Sequence, residues 1–156
     1  MSILVDGNNV MGQRVGWHKD KAGARRRLLD ELAEFAAFRH VIVRVVFDGA
    51  PDQSFPDGSR YKGVTVYYAR KGSDADERIK GIVESEREKR TLKVITSDRR
   101  LGDYVRHCGV QVMRSGEFRK QLDEIALKPR SADVTPEEPS EGWMRFFGAS
   151  ADDDDA

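Results

Sequence analysis

Three apolar runs in this chain each end in an aspartate, and that pattern restricts the fold more than any other feature. Ile3-Leu4-Val5 stops at Asp6-Gly7, Val41 to Phe47 stops at Asp48-Gly49, and Leu92-Lys93-Val94-Ile95 passes through Thr96-Ser97 to Asp98. Short β-branched runs bounded by turn formers read as buried strands. Segments of helical spacing separate them, so the chain alternates strand and helix. Such alternation argues for βαβ units with right-handed crossovers, hence a parallel sheet covered on both faces. In sheets of that kind, ligands bind beyond the carboxyl ends of the strands. Acids that end three separate strands are therefore expected to share one rim.

The remaining elements follow from spacing. After the first strand comes a turn-rich link over 7–16, then a helix over 20–38. Its positions Ala24, Leu28, Leu32 and Phe35, flanked by Leu29, Ala33 and Ala36, form one buried stripe. The second strand, over 40–47, is β-branched nearly throughout and reads as buried on both faces. Residues 48–63 carry prolines and glycines without a helical period, and a loop this long is expected to wall a site. A third strand over 64–68 ends in Arg70-Lys71, two bases suited to a phosphate backbone. Then follow a helix over 73–88, a strand over 92–96, a helix over 99–107 and a strand over 110–113. A last helix, over 115–127, is expected to be capped by Ser115. The expected fold is a three-layer α/β/α sandwich with a mainly parallel five-stranded sheet, occupying 1–128. Residues 129–148 read as a linker and a short helix docking on the body, and 149–156 as a disordered acidic tail.

Length fits one domain able to bury a core without disulfides. No apolar run approaches the roughly 20 residues that cross a bilayer, and the N-terminus lacks the regions of a secretory signal. The lone Cys108 suits a reducing compartment. A cytoplasmic location is expected, with no membrane partner. Formal charge is zero overall, but from residue 131 onward there are eight acids and one base, leaving 26 bases against 19 acids in residues 1–130. A basic body suits a polyanionic partner.

Each acid has an ordinary role available. Asp76 can join Ser73 in a capping box, Asp98 can cap the helix at Arg99, and Asp48 can make an Asx turn. Those roles do not require all of them to fall at one end of one sheet. Helical phase sets Asp76 on the flank of the Ile79–Val83 face and turns Glu77 away from it. Carboxylates crowded together repel and protonate unless a cation is present. Oxygen ligands without a His or Cys cluster favour Mg²⁺ or Mn²⁺ over zinc, and His18, His40 and His107 lack ligand spacing. An acidic hollow in a basic body has the charge pattern of a nuclease.

The motifs Val5-Asp6-Gly7-Asn8-Asn9-Val10, Val46-Phe47-Asp48-Gly49, Asp74-Ala75-Asp76-Glu77-Arg78-Ile79 and Thr96-Ser97-Asp98-Arg99-Arg100-Leu101 together resemble the YacP-like NYN domains of the PIN-like nuclease superfamily. That branch includes a ribosome-associated endoribonuclease of bacteria. The resemblance covers residues 2–127, and Trp143 to Gly148 is similar to a C-terminal segment of the branch. It implies a metal-dependent endoribonuclease with Asp6, Asp76 and Asp98 as Mg²⁺ or Mn²⁺ ligands and Asp48 and Glu77 as further candidates. It also implies that Asn8 orients Asp6 or contacts the scissile phosphate. Many members carry an aromatic residue in the turn where this chain has Asn8-Asn9. RNA, including mRNA on the ribosome, is the implied partner, its backbone held by bases drawn from Arg25, Arg27, Arg70, Lys71, Arg99 and Arg100. A non-catalytic RNA- or ribosome-binding module of the same fold is the alternative. A receiver-like phosphoacceptor domain would need an acidic pair after the first strand and a late-strand lysine. Asn8-Asn9 and Met113-Arg114 supply neither.

Overall fold

The computed structural model describes residues 1–69 and 74–127. Arg70, Lys71 and Ser73, and everything expected of the linker, the docking helix and the acidic tail, lie outside the described residues. In chain order the elements are β1 (Ser2–Asp6), α1 (Gly7–Met11), α2 (Lys21–Arg39), β2 (Ile42–Phe47), β3 (Arg60–Tyr61), β4 (Val64–Tyr68), α3 (Ala75–Ser85), β5 (Leu92–Ile95), α4 (Arg99–His107), β6 (Gln111–Met113) and α5 (Ser115–Ala126). Single 3-10 turns at Trp17–Lys19 and Lys89–Thr91 precede α2 and β5.

The sheet has six strands in the order β3-β4-β2-β1-β5-β6, all parallel except the edge strand β3. The extra strand comes from the long loop. Arg60 and Tyr61 double back on Thr65 and Val64 through the glycine turn at Gly63, whose φ is 88°. Only two residues pair, too few to leave an alternation legible in the sequence. The expected link over 7–16 likewise contains α1, because Val10 and Met11 bury themselves against the main core. α3 stops at Ser85, short of the expected 88.

β1 lies at the centre, and its alternation divides the core. Ile3 and Val5 pack with the buried stripe of α2 and with Phe118 and Leu122 of α5, while Leu4 faces α3 and α4. Helices therefore cover both faces, as the three-layer expectation required. Burial of each such aliphatic side chain is worth roughly 2 kcal/mol. From β1 the chain first builds outward through β2 and β4, then crosses back to β5 on the other side. That reversal opens a crevice at the carboxyl ends of β1 and β5, where doubly wound sheets bind ligands.

Gly7, directly after Asp6, permits the close packing of α1 on the sheet. A Cβ there would sit 2.5 Å from Phe47 Cδ1 and 3.0 Å from Val45 Cγ2. Both neighbours are fully buried. Gly7→Ala is expected to destabilise the protein by about 2 kcal/mol, the usual cost of overpacking. Urea denaturation checks this, and an unchanged midpoint would refute it.

Candidate active site

Five elements meet at the rim. β1 contributes Asp6, which falls in the same alternation phase as Leu4 and so lies on the α3/α4 side of the sheet. β2 ends at Phe47 and delivers Asp48; the turn after β5 delivers Thr96, Ser97 and Asp98; and α3 and α4 both begin there. Helix N-termini present unpaired N–H groups and a positive dipole end, which draws carboxylates to this edge.

Asp6 is buried, with 5 % of its surface exposed. Its Oδ2 accepts a hydrogen bond from Thr96 Oγ1 at 2.9 Å, and Thr96 Oγ1 in turn accepts from the Asp98 backbone N–H at 3.1 Å. Burial, opposed by the Thr96 hydrogen bond and reinforced by the charges of Asp76, Asp48 and Asp98, pushes the Asp6 carboxyl up to about 7. Asp76, half-buried on the first turn of α3, is raised to about 6 by burial, then by Asp98 and Asp74, and its carboxyl shares a hydrogen bond with Asp98. Proximity of like charges is thus recorded in the acids themselves.

Asp48 and Asp98 each commit one oxygen to the scaffold. Asp48 Oδ1 accepts from Ala75 N at 2.8 Å, tying β2 to the start of α3, and Asp98 Oδ1 accepts from Leu101 N at 3.1 Å as the cap of α4. The expected Asx turn at Asp48 gives way to this longer link. The cap of α3 is Asp74, whose Oδ1 accepts from Glu77 N at 3.1 Å. Asp76 is thereby free of the capping box. Among the described residues no three His, Cys, Asp or Glu side chains close around a common point. The four aspartates are close enough to act on one another's charge without closing a finished cage.

Asn8 and Asn9 brace this rim. Asn8 Oδ1 accepts from the Asp48 backbone N–H at 2.9 Å, so it fixes the neighbouring strand's acid and makes no bond to Asp6. Asn9 Oδ1 accepts from Ser97 N at 2.8 Å and from Ser115 Oγ at 2.5 Å, joining α1 to the β5–α4 turn and to α5. The Ser115 hydroxyl therefore serves Asn9 and not the expected cap.

Glu77 is exposed and lies 3.5 Å from Lys80. Arg25 braces the rim: it donates to the carbonyls of Asp48 and, at 3.1 Å, Ala50, with its guanidinium 5.4 Å and 5.2 Å from the Phe47 and Tyr68 ring centres. Arg27 on α2 and Arg99 and Arg100 on the first turn of α4 are exposed. Sequence reasoning treated Thr96, Ser97 and Asn9 only as turn residues. The one available signal was an unbroken polar run, Thr96-Ser97-Asp98, directly after a buried strand.

The sequence profile of the YacP-like NYN domain matches residues 3–143. No curated protein gives a significant match. Two crystal structures of Rae1 (YacP) from Bacillus subtilis are similar to this chain, each at 24% identity over 81% of it. One covers 75% of the Rae1 chain with a TM-score of 0.68; the other, of a single-site mutant, covers 77% with a TM-score of 0.66. At that identity the likeness concerns the fold, and it agrees with the sheet and rim described above. With its profile matched along most of its length and its architecture shared with Rae1, this chain belongs to the YacP-like NYN domain family, with a PIN-like fold.

Proposed function

We propose that the protein is an endoribonuclease that hydrolyses RNA phosphodiesters with Mg²⁺ or Mn²⁺ held by Asp6, Asp76 and Asp98. The observation that carries this reading is the meeting of Asp6, Asp48, Asp76 and Asp98 at the crevice beside β1. Their donor chemistry fits a hard cation: all are carboxylates, all lie at helix or strand ends, and burial together with the neighbouring charges raises two of them toward neutrality. When bound, such a cation acidifies water and stabilises the leaving oxygen of an in-line displacement.

The chain's own residues do the rest. Thr96 holds Asp6 by one oxygen, and Asn8 and Asn9 keep Asp48 and the Asp98 turn in place. Arg99 and Arg100, on the first turn of α4 at the rim, supply exposed charge for the phosphates flanking the cut, and Arg27, exposed on α2, belongs to the same proposal. Arg70 and Lys71 follow β4 in sequence and belong to the same proposal. Arg25 already spends donors on two carbonyls, so its role is to support the wall. RNA as substrate, with mRNA on the ribosome as a setting, rests on family membership, as does a cytoplasmic location. No helix among the described residues is long and apolar enough to cross a membrane.

A labelled single-stranded RNA incubated with the purified protein tests the proposal. Cleavage that requires added Mn²⁺ or Mg²⁺ and stops with EDTA is expected. RNA retained without cleavage under any metal would favour the binding module.

A further inference from the structure

Helices do not cover the whole α3/α4 face of the sheet. α3 packs its Ala75, Ile79 and Val83 onto the Leu4 side of the core, and beside it β2 and β4 leave a cleft of about 550 Å³. Arg44 and Tyr67 come from the strands; Glu77, Arg78, Gly81, Ile82 and Ser85 come from α3. Arg44 interrupts an otherwise apolar strand, and it corrects the expectation that β2 is buried on both faces along its whole length. Its Nη2 pairs with Glu86 at 2.7 Å, while its buried Nε has no hydrogen-bond partner.

We propose that this cleft is a subsite for one unpaired nucleotide of the RNA strand, adjacent to the phosphodiester at the acidic rim. The inference rests on the nuclease reading and extends it. Its volume lies within the usual range for small-ligand sites. Glu77, which lines the cleft, follows Asp76 directly on the first turn of α3, so cleft and rim share that turn. The Arg78 guanidinium, held by Tyr68 O at 2.9 Å and paired with Asp57 at 3.4 Å, lies over the Tyr67 ring, 4.9 Å from its centre, and this stacked pair gives the cleft a cationic and aromatic wall suited to a base. The exposed Glu77 carboxylate, 3.5 Å from Lys80, offers an acceptor for exocyclic amino groups. Gly81 keeps the wall open. It stands in a helix interior, where glycine weakens the helix, and a Cβ there would meet nothing within 4 Å.

That open position provides the test. Gly81→Leu projects a side chain into the cleft from a helix that tolerates it, and Ala37→Leu places the same side chain on an exposed position of α2, on the opposite face of the sheet. Binding of a fluorescein-labelled single-stranded RNA dodecamer is measured by anisotropy in EDTA, where no turnover occurs. Gly81→Leu is expected to weaken binding about tenfold, in line with the loss of one stacked base. Ala37→Leu should bind as wild type does, and both variants should melt no lower than wild type. Photocrosslinking of a 4-thiouridine strand to the peptide containing Tyr67 in wild type, lost in Gly81→Leu, would support the same conclusion. Equal affinity of Gly81→Leu and wild type would overturn it. So would a free nucleoside monophosphate that displaces the crosslink without weakening strand binding, since the site would then serve a free nucleotide. Because binding is read without metal, a protein that fails to cleave RNA but shows the Gly81→Leu effect disproves the nuclease reading alone. A protein that cleaves RNA without that effect disproves the subsite alone.

Discussion

Asp6→Asn is expected to lower metal-dependent RNA cleavage by at least about 10³-fold, the scale of losing a group that acts on developing charge in a dry site. The substitution preserves shape and keeps an oxygen for the Thr96 hydroxyl, which now donates at 2.9 Å. What it removes is the negative charge at the centre of the acid group, the only one of the four aspartates that is buried. Asp103→Asn serves as the comparison. Asp103 lies exposed on α4, 3.5 Å from Arg106 and away from the rim, and its loss should leave cleavage within about threefold. Single-turnover rates on a labelled RNA with Mn²⁺ separate the two. Equal losses in both variants, or full activity in Asp6→Asn, would remove the acid rim from the reaction.

The place of the acids was legible in the sequence because it depends on short-range regularities. A buried run must end somewhere, and the residue that ends it sits at the rim whatever the rest of the chain does. Asp6, Asp48 and Asp98 satisfy that condition, and helical phase separated an inward Asp76 from an outward Glu77 in agreement with their burial. The five parallel strands and the buried face of α2 were legible for the same reason.

What was not legible depends on partners distant in the chain. The Asn8 bond to Asp48 spans 40 residues, the Asn9 bond to Ser97 spans 88 and the Ser115 bond to Asn9 spans 106. An asparagine pair after a strand looks the same whether it ends a turn or clamps two neighbouring elements. Arg25 is a further instance. Its place among helix charges suggested phosphate contact, while its two carbonyl partners arrive from the loop after β2, 23 and 25 residues away. Arg44 gave a faint local signal, a charge in a β-branched strand, whose meaning depended on how much of the sheet α3 would leave uncovered.

Without metal, the protein is expected to lose stability as pH rises, by about 2–3 kcal/mol between pH 5 and pH 8. The sign follows from Asp6. Its folded carboxyl holds its proton up to about 7, against an ordinary value of 3.8 in the unfolded chain. Between those values the folded state binds more protons than the unfolded one, so stability present at low pH is lost as pH climbs through the folded value. Asp76, raised to about 6 by burial and by Asp98, acts in the same direction. Glu86, lowered by its Arg44 partner, acts in the opposite direction but only at more acid pH, outside this window. Urea denaturation in EDTA at pH 5 and pH 8 measures the slope. Asp6→Asn should flatten most of it, so that the variant is more stable than wild type at pH 8. Added Mn²⁺ should restore wild type at pH 8 and move Asp6→Asn far less, because a cation bound at Asp6 offsets the buried charge that protonation removes at pH 5. A wild-type protein whose stability is level or rises from pH 5 to pH 8 in EDTA would mean that the acids are already neutralised by the fold, leaving no electrostatic demand for a metal.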